Sequence, residues 1–170
     1  QRPTYNSTTK EGIDVQWNNL LTDQAYEPGS TMKVLALAAA INEGVFDPNE
    51  RYQSGSVKIY TDLVRDYNKV GWGNITYLEG LAHSSNVAFV HVIQKICVEK
   101  WKQYLEAFGF SKSTNSGFAN EISGSNPFNS YLQQLSTGFG QGITVTVYQM
   151  MQAFTAIANG GQMQKLRLVD

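Results

Sequence analysis

The longest apolar block of the chain runs from Val34 to Ile41 and follows two chain-breaking residues, Pro28 and Gly29. Every side chain in it is Val, Leu, Ala or Ile, without the 3.6-residue polar and apolar alternation of a helix lying half in water. The block is rich in strong helix formers. The pattern therefore predicts a helix from Ser30 to Glu43, ended by Gly44 and apolar all round for two turns. The same reading places further helices at Tyr77–Ala82 behind a Thr76 cap, at Asn86–Val98, at Trp101–Phe108 with Gly109 as its stop, and at Tyr131–Ser136. Val147–Ala158 reads as a helix closed by Asn159-Gly160-Gly161. Between these elements, residues 45–74 read as irregular, with one strand-like stretch at Ser56–Tyr60. Residues 111–130 read as a long polar loop, and Gly138–Gly142 as a turn. Residues 1–12 read as extended or loop, Asp14–Leu21 as a short helix and Met163–Val169 as the start of a strand. No internal repeat or low-complexity segment interrupts the pattern.

Two short motifs carry chemistry. Ser30 and Lys33 form S-x-x-K at the start of the first apolar helix. Residues three apart share a helix face, so a hydroxyl and an amine are held within reach of each other. Most lysines in such a chance motif are solvated, but this one heads into an apolar helix, where an unpaired ammonium is costly. Desolvation favours the neutral amine, which can then take the hydroxyl proton and make serine a nucleophile without histidine. The second motif, Ser84-Ser85-Asn86, stands at the junction of two helices, where Ser and Asn serve first of all as caps. Lying 54 residues after Ser30, it also reads as S-x-N, the partner motif of penicillin-recognising serine enzymes.

On these residues the chain resembles the class B, monofunctional penicillin-binding proteins, and most of all their division-type members in low-GC Gram-positive bacteria. The resemblance runs through Gln1–Thr4, Tyr26–Lys33, Gly80–Asn86, Phe139–Thr146 and Gln149–Gly161, in the family's order. It implies an α+β fold of the penicillin-binding protein and serine β-lactamase kind, with this chain mainly its helical part. It implies a D,D-transpeptidase that cross-links peptidoglycan stem peptides ending in D-Ala-D-Ala and is acylated by β-lactam antibiotics. Ser30 would be the nucleophile, Lys33 the general base and Ser84 a proton relay to the leaving amine. Asn86 would hold Lys33 and bind the substrate amide, and Thr31 and Gln141 would help shape the substrate site. The resemblance further implies an extracytoplasmic protein, anchored by an N-terminal helix lying before Gln1 and working with division proteins.

The family's third motif, K-[ST]-G, is missing: Lys112 is followed by Ser113 and Thr114. The family places that motif well downstream of Asn159-Gly160-Gly161. Residues 1–170 are thus expected to be the N-terminal portion of a transpeptidase domain, completed by the remainder of the same domain. A class A β-lactamase is disfavoured, because no glutamate has an asparagine four residues on. Asn86 also departs from the S-x-V of class D enzymes. The competing readings are a β-lactam sensor domain, which acylates without turnover, and a non-catalytic division scaffold. Hydrophobic content of 42% suffices for a core, and a net charge of −1 without a basic stripe argues against nucleic acid. The two histidines stand eight apart and no metal-ligand cluster is visible, so neither metal nor cofactor is expected. The single cysteine, Cys97, excludes an internal disulfide and reads as a core residue. No stretch reaches the roughly 20 apolar residues of a membrane span.

Overall fold

The structure, a computed structural model, describes residues 19–167. After Pro28 the chain winds through one 3-10 turn, Gly29–Thr31, into the first helix, α1 (Met32–Asn42). Met32, Leu35, Ala36, Ala39 and Ala40 of α1 face the core. The run Val34–Ile41 is apolar all round, as expected, but it is not buried all round: Val34 is 39% and Ile41 59% exposed, on the face turned away from that core.

The stretch before the next helix holds four short strands rather than one. β2 (Arg51–Gln53) pairs antiparallel with β5 (Asn74–Thr76), with Tyr52 opposite Ile75. β3 (Ser56–Ile59) and β4 (Asp62–Arg65) form a hairpin in which Val57 faces Val64. Near the two ends of the described chain, β1 (Ala25–Tyr26) pairs antiparallel with β6 (Val145–Thr146), which brings the segment before Ser30 beside the start of the last helix.

Thr76 caps α2 (Tyr77–Ala82) through a capping box with Glu79. α3 (Asn86–Ile96) begins at Ser85 and buries Val87, Ala88, Phe89, Val90, Val92, Ile93 and Ile96. It packs on α1, on α4 (Val98–Ala107) and on α5 (Tyr131–Ser136), and so forms the centre of the molecule. A second 3-10 turn, Thr137–Phe139, wedges between α1 and α3. There Trp101, fully buried, donates its ring N–H to Thr137 Oγ1 at 2.8 Å. α6 (Val147–Ala158) starts at a second capping box, Thr146 with Gln149.

Further expectations are corrected where the described residues reach them. Cys97 is exposed, with φ +68, and separates α3 from α4, so it is not a core residue and α4 begins at Val98 rather than Trp101. Of the expected Met163–Val169 strand start, residues 163–167 form no strand and residues 168–169 lie outside the described residues, as do residues 1–12 with their expected extended entry. Of the expected Asp14–Leu21 helix, residues 14–18 lie outside the described residues, while Asn19–Leu21 belong to a turn closed by hydrogen bonds from Thr22 and Asp23 to the Asn19 carbonyl. Among the described residues no helix is long and apolar enough to cross a membrane.

Candidate active site

Ser30 lies in the 3-10 turn that leads into α1 and is exposed. The turn is fixed by its neighbours. The Gly29 amide donates to the Gly140 carbonyl at 3.0 Å, and Thr31 Oγ1 donates to the Pro28 carbonyl at 2.7 Å. Gly140 has φ +79, and a Cβ on it would lie 2.1 Å from the Gly29 oxygen, so only glycine allows this approach.

Lys33, one turn further along, is buried, at 3% exposed. Its Nζ donates to the Ser84 carbonyl at 2.6 Å, to Asn86 Oδ1 at 2.9 Å and to Ser84 Oγ at 3.0 Å. Ser84 Oγ is itself 3.0 Å from Ser30 Oγ. The two ends of S-x-x-K are therefore joined through Ser84. Burial pushes the Lys33 ammonium down to about 8, against the pull of Asp66, which raises it. The Phe89 ring stands 5.7 Å from Nζ.

The turn between α2 and α3 supplies the other half. Ser84 has φ +54, a left-handed conformation uncommon outside glycine, and so turns both its carbonyl and its hydroxyl onto Lys33. Ser85 is the N-cap of α3, accepting from the Ala88 amide at 3.0 Å. Asn86 donates through Nδ2 to the Arg65 carbonyl at 3.1 Å, which leaves Oδ1 for Lys33. Within one Ser-Ser-Asn run, the cap and the chemistry thus fall to different residues.

The structure brings Ser30, Lys33, Ser84 and Asn86 together. Thr31 is exposed beside Ser30, with its hydroxyl committed to the Pro28 carbonyl. Gln141 is exposed on the turn that packs against Gly29, with its amide donating to the Ser136 carbonyl at 3.1 Å. The sequence pattern did not reveal Glu27, which accepts from the Gly142 amide at 2.8 Å and so ties that turn to the segment before Ser30. Nor did it reveal Asp66, 1% exposed behind the Ser84–Asn86 turn. Glu27 lies within the Tyr26–Lys33 stretch but was given no role there, and no local motif marks Asp66.

A serine at the mouth of an apolar helix is thus linked through a second serine to a buried lysine, an arrangement in which a hydroxyl can pass its proton to an amine. The family model for the penicillin binding protein transpeptidase domain matches residues 1–170, and the chain belongs to that family. Stage V sporulation protein D of Bacillus subtilis is 33% identical over 167 residues, covering 94% of this chain and 26% of that protein. Penicillin-binding protein PbpB of Mycolicibacterium smegmatis is 32% identical over 155 residues, covering 87% of this chain and 24% of that protein. The solved structure of Penicillin Binding Protein 2X from Streptococcus thermophilus superposes with a TM-score of 0.89 at 38% identity, covering 98% of this chain and 25% of that one. The fold is therefore the penicillin-binding protein transpeptidase fold, of mixed helices and short strands. The chain spans about a quarter of the length of the curated relatives it matches.

Proposed function

We propose that the protein is a class B serine D,D-transpeptidase and that these 170 residues are the N-terminal portion of its catalytic domain. The observation that carries the reading is the chain of contacts from Ser30 Oγ through Ser84 Oγ to the buried Lys33 Nζ, at 3.0 Å each. Neutral Lys33 accepts the proton, handed on by Ser84, as Ser30 Oγ attacks the carbonyl of the penultimate D-Ala. The peptide C–N bond breaks and the terminal D-Ala leaves with the proton returned through Ser84. The amine of a second stem peptide then attacks the ester, forms the cross-link and gives Ser30 its proton back. The Ser30 amide, in the turn entering α1, would serve as one oxyanion donor. Asn86 holds Lys33 and meets the substrate amide, while Thr31 and Gln141 line the approach to Ser30.

A β-lactam follows the first half of this course: its ring amide opens onto Ser30, and its amine stays tethered. The family membership favours peptidoglycan stem peptides as substrate and β-lactams as ligands. An extracytoplasmic, membrane-anchored setting beside division proteins belongs to the same reading. A β-lactam sensor is the second reading, supported by the same acylation chemistry and separated from the first by turnover.

The test is to label the full-length protein with penicillin, digest it and locate the adduct by mass. The adduct is expected on Ser30. An adduct on Ser84 would refute the assignment, and acylation without turnover of a D-Ala-D-Ala thioester analogue would favour the sensor.

A further inference from the structure

Asp66 follows β4 and is 1% exposed, and its carboxylate has three donors. Oδ1 accepts from Ser85 Oγ at 2.8 Å and from the Val87 amide at 3.1 Å, and Oδ2 accepts from the Gly55 amide at 2.8 Å. Val87 lies in the first turn of α3, so Asp66 and Ser85 share the capping of one helix end, where a negative charge is favoured. The preceding residue, Arg65, accepts the Asn86 Nδ2 bond. One short segment at the end of β4 therefore grips Ser85, Asn86 and Val87, while Ser84 and Asn86 grip Lys33. A buried carboxylate is costly unless fully bonded, and this one is anchored on both oxygens.

We propose that Asp66 is a positioning residue for acyl transfer: it fixes the Ser84–Asn86 turn against Lys33 and sets a negative charge behind the amine. The proposal rests on the acyl-enzyme reading of Ser30 and Lys33. The groups turned toward Lys33 are Asp66 from the end of β4, Ser84 from the α2–α3 turn, and Asn86 and the Phe89 ring from α3. Asp66 opposes the desolvation of Lys33 and so holds part of its proton affinity in place. His91, also on α3, feels Asp66 too, together with Lys95 and Glu50, and burial holds its pKa down. Asp66 thereby couples two properties, the placement of the relay and the pH at which the base becomes competent.

The experiment compares the full-length protein with its Asp66→Asn and Ser85→Ala variants, following acylation by a fluorescent penicillin between about pH 6 and 10. Asp66→Asn keeps the shape and removes the charge. It is expected to slow acylation by about 10–100-fold and to move the Lys33 inflection to lower pH. Ser85→Ala keeps the charge and cuts the link to the turn. It is expected to slow acylation by about 10-fold with the inflection where the wild type has it. A purely structural role for Asp66 predicts slower labelling with an unmoved inflection, and that result overturns the proposal. If Asp66→Asn fails to fold, Ser85→Ala decides, and a wild-type rate there also overturns it. A wild-type protein that takes no label at Ser30 removes the acyl-transfer reading and this proposal with it, whereas a labelled wild type with an unmoved inflection in Asp66→Asn removes this proposal alone.

Discussion

A lysine with its ordinary value of 10.5 is almost wholly protonated near neutrality and is a poor base, whereas Lys33, lowered by burial to about 8, is not. At pH 7 an amine with that value is neutral in roughly one molecule in ten. Acylation should therefore rise with pH up to about 8 and level off above it. Lys33→Ala is expected to lower the rate by about 10²–10⁴-fold and to erase that inflection, as read by labelling with a fluorescent penicillin. A rate indifferent to the substitution would remove Lys33 from the role of base. The stability sign is separate. Between about 8 and 10.5 the unfolded chain holds a proton that the folded one has lost, so folding gains from Lys33 as pH rises through that range. The four residues that the structure brings together were legible because they fall in two short motifs of fixed spacing, each leading into an apolar helix. Asp66 was not, since its partners Gly55, Ser85 and Val87 lie 11, 19 and 21 residues away in no periodic pattern.

Elements with their own stop and start chemistry were the readable ones. Tyr131–Ser136 and Val147–Ala158 match the observed helices residue for residue, each opening on a hydroxyl cap. Of the strands between residues 51 and 76 only β3 was expected, from the strand-like stretch at Ser56–Tyr60; the other three are only three or four residues long, too short for alternation to show. The polar loop of residues 111–130 was located, but not what orders it. Glu121 accepts from the amides and hydroxyls of Thr114 and Ser116 and from the Ser113 hydroxyl. Buried Gln149, at the start of α6, ties the loop down through the Lys112 and Ser123 carbonyls at 2.9 and 3.0 Å. Partial burial pushes the Glu121 carboxyl up, but the bonds from Ser116 and Thr114 outweigh it and hold it at about 2. Its contribution is thus complete above its ordinary 4.5 and fades as pH falls through about 2. Glu121→Ala should speed hydrogen exchange at the Thr114 and Ser116 amides at neutral pH. Unchanged protection at both would show that the loop is held by something else.

At the scale of the whole molecule, the site is built on one side of α1 and an apolar surface is left on the other. Val34 and Ile41 of α1 are exposed, and Met151 and Ile157 of α6 are 51% and 42% exposed. A groove of about 250 Å³ runs between α1, α4 and α6, lined by Ala38, Asn42, Tyr104, Phe108, Ile157 and Met163. Apolar surface gathered in this way favours association with another surface. The apolar run Val34–Ile41 of α1 fits this arrangement: one face serves the core described here, and Val34 and Ile41 on the other are exposed among the described residues. The chemistry is divided in the same manner. On the proposed reading residues 1–170 supply nucleophile, base, relay and one oxyanion donor, and they contain no K-[ST]-G. Removing a single oxyanion donor costs on the order of 10²–10³-fold in rate. Expressed by themselves, residues 1–170 are therefore expected to self-associate or bind a hydrophobic dye, and to take up fluorescent penicillin slower than the full-length protein by at least that factor. Size-exclusion chromatography and a labelling time course measure both. A soluble monomer labelled stoichiometrically at the full-length rate would mean that the S-x-x-K helix and the S-x-N turn suffice for acylation, and that the uncovered face of α1 needs no partner.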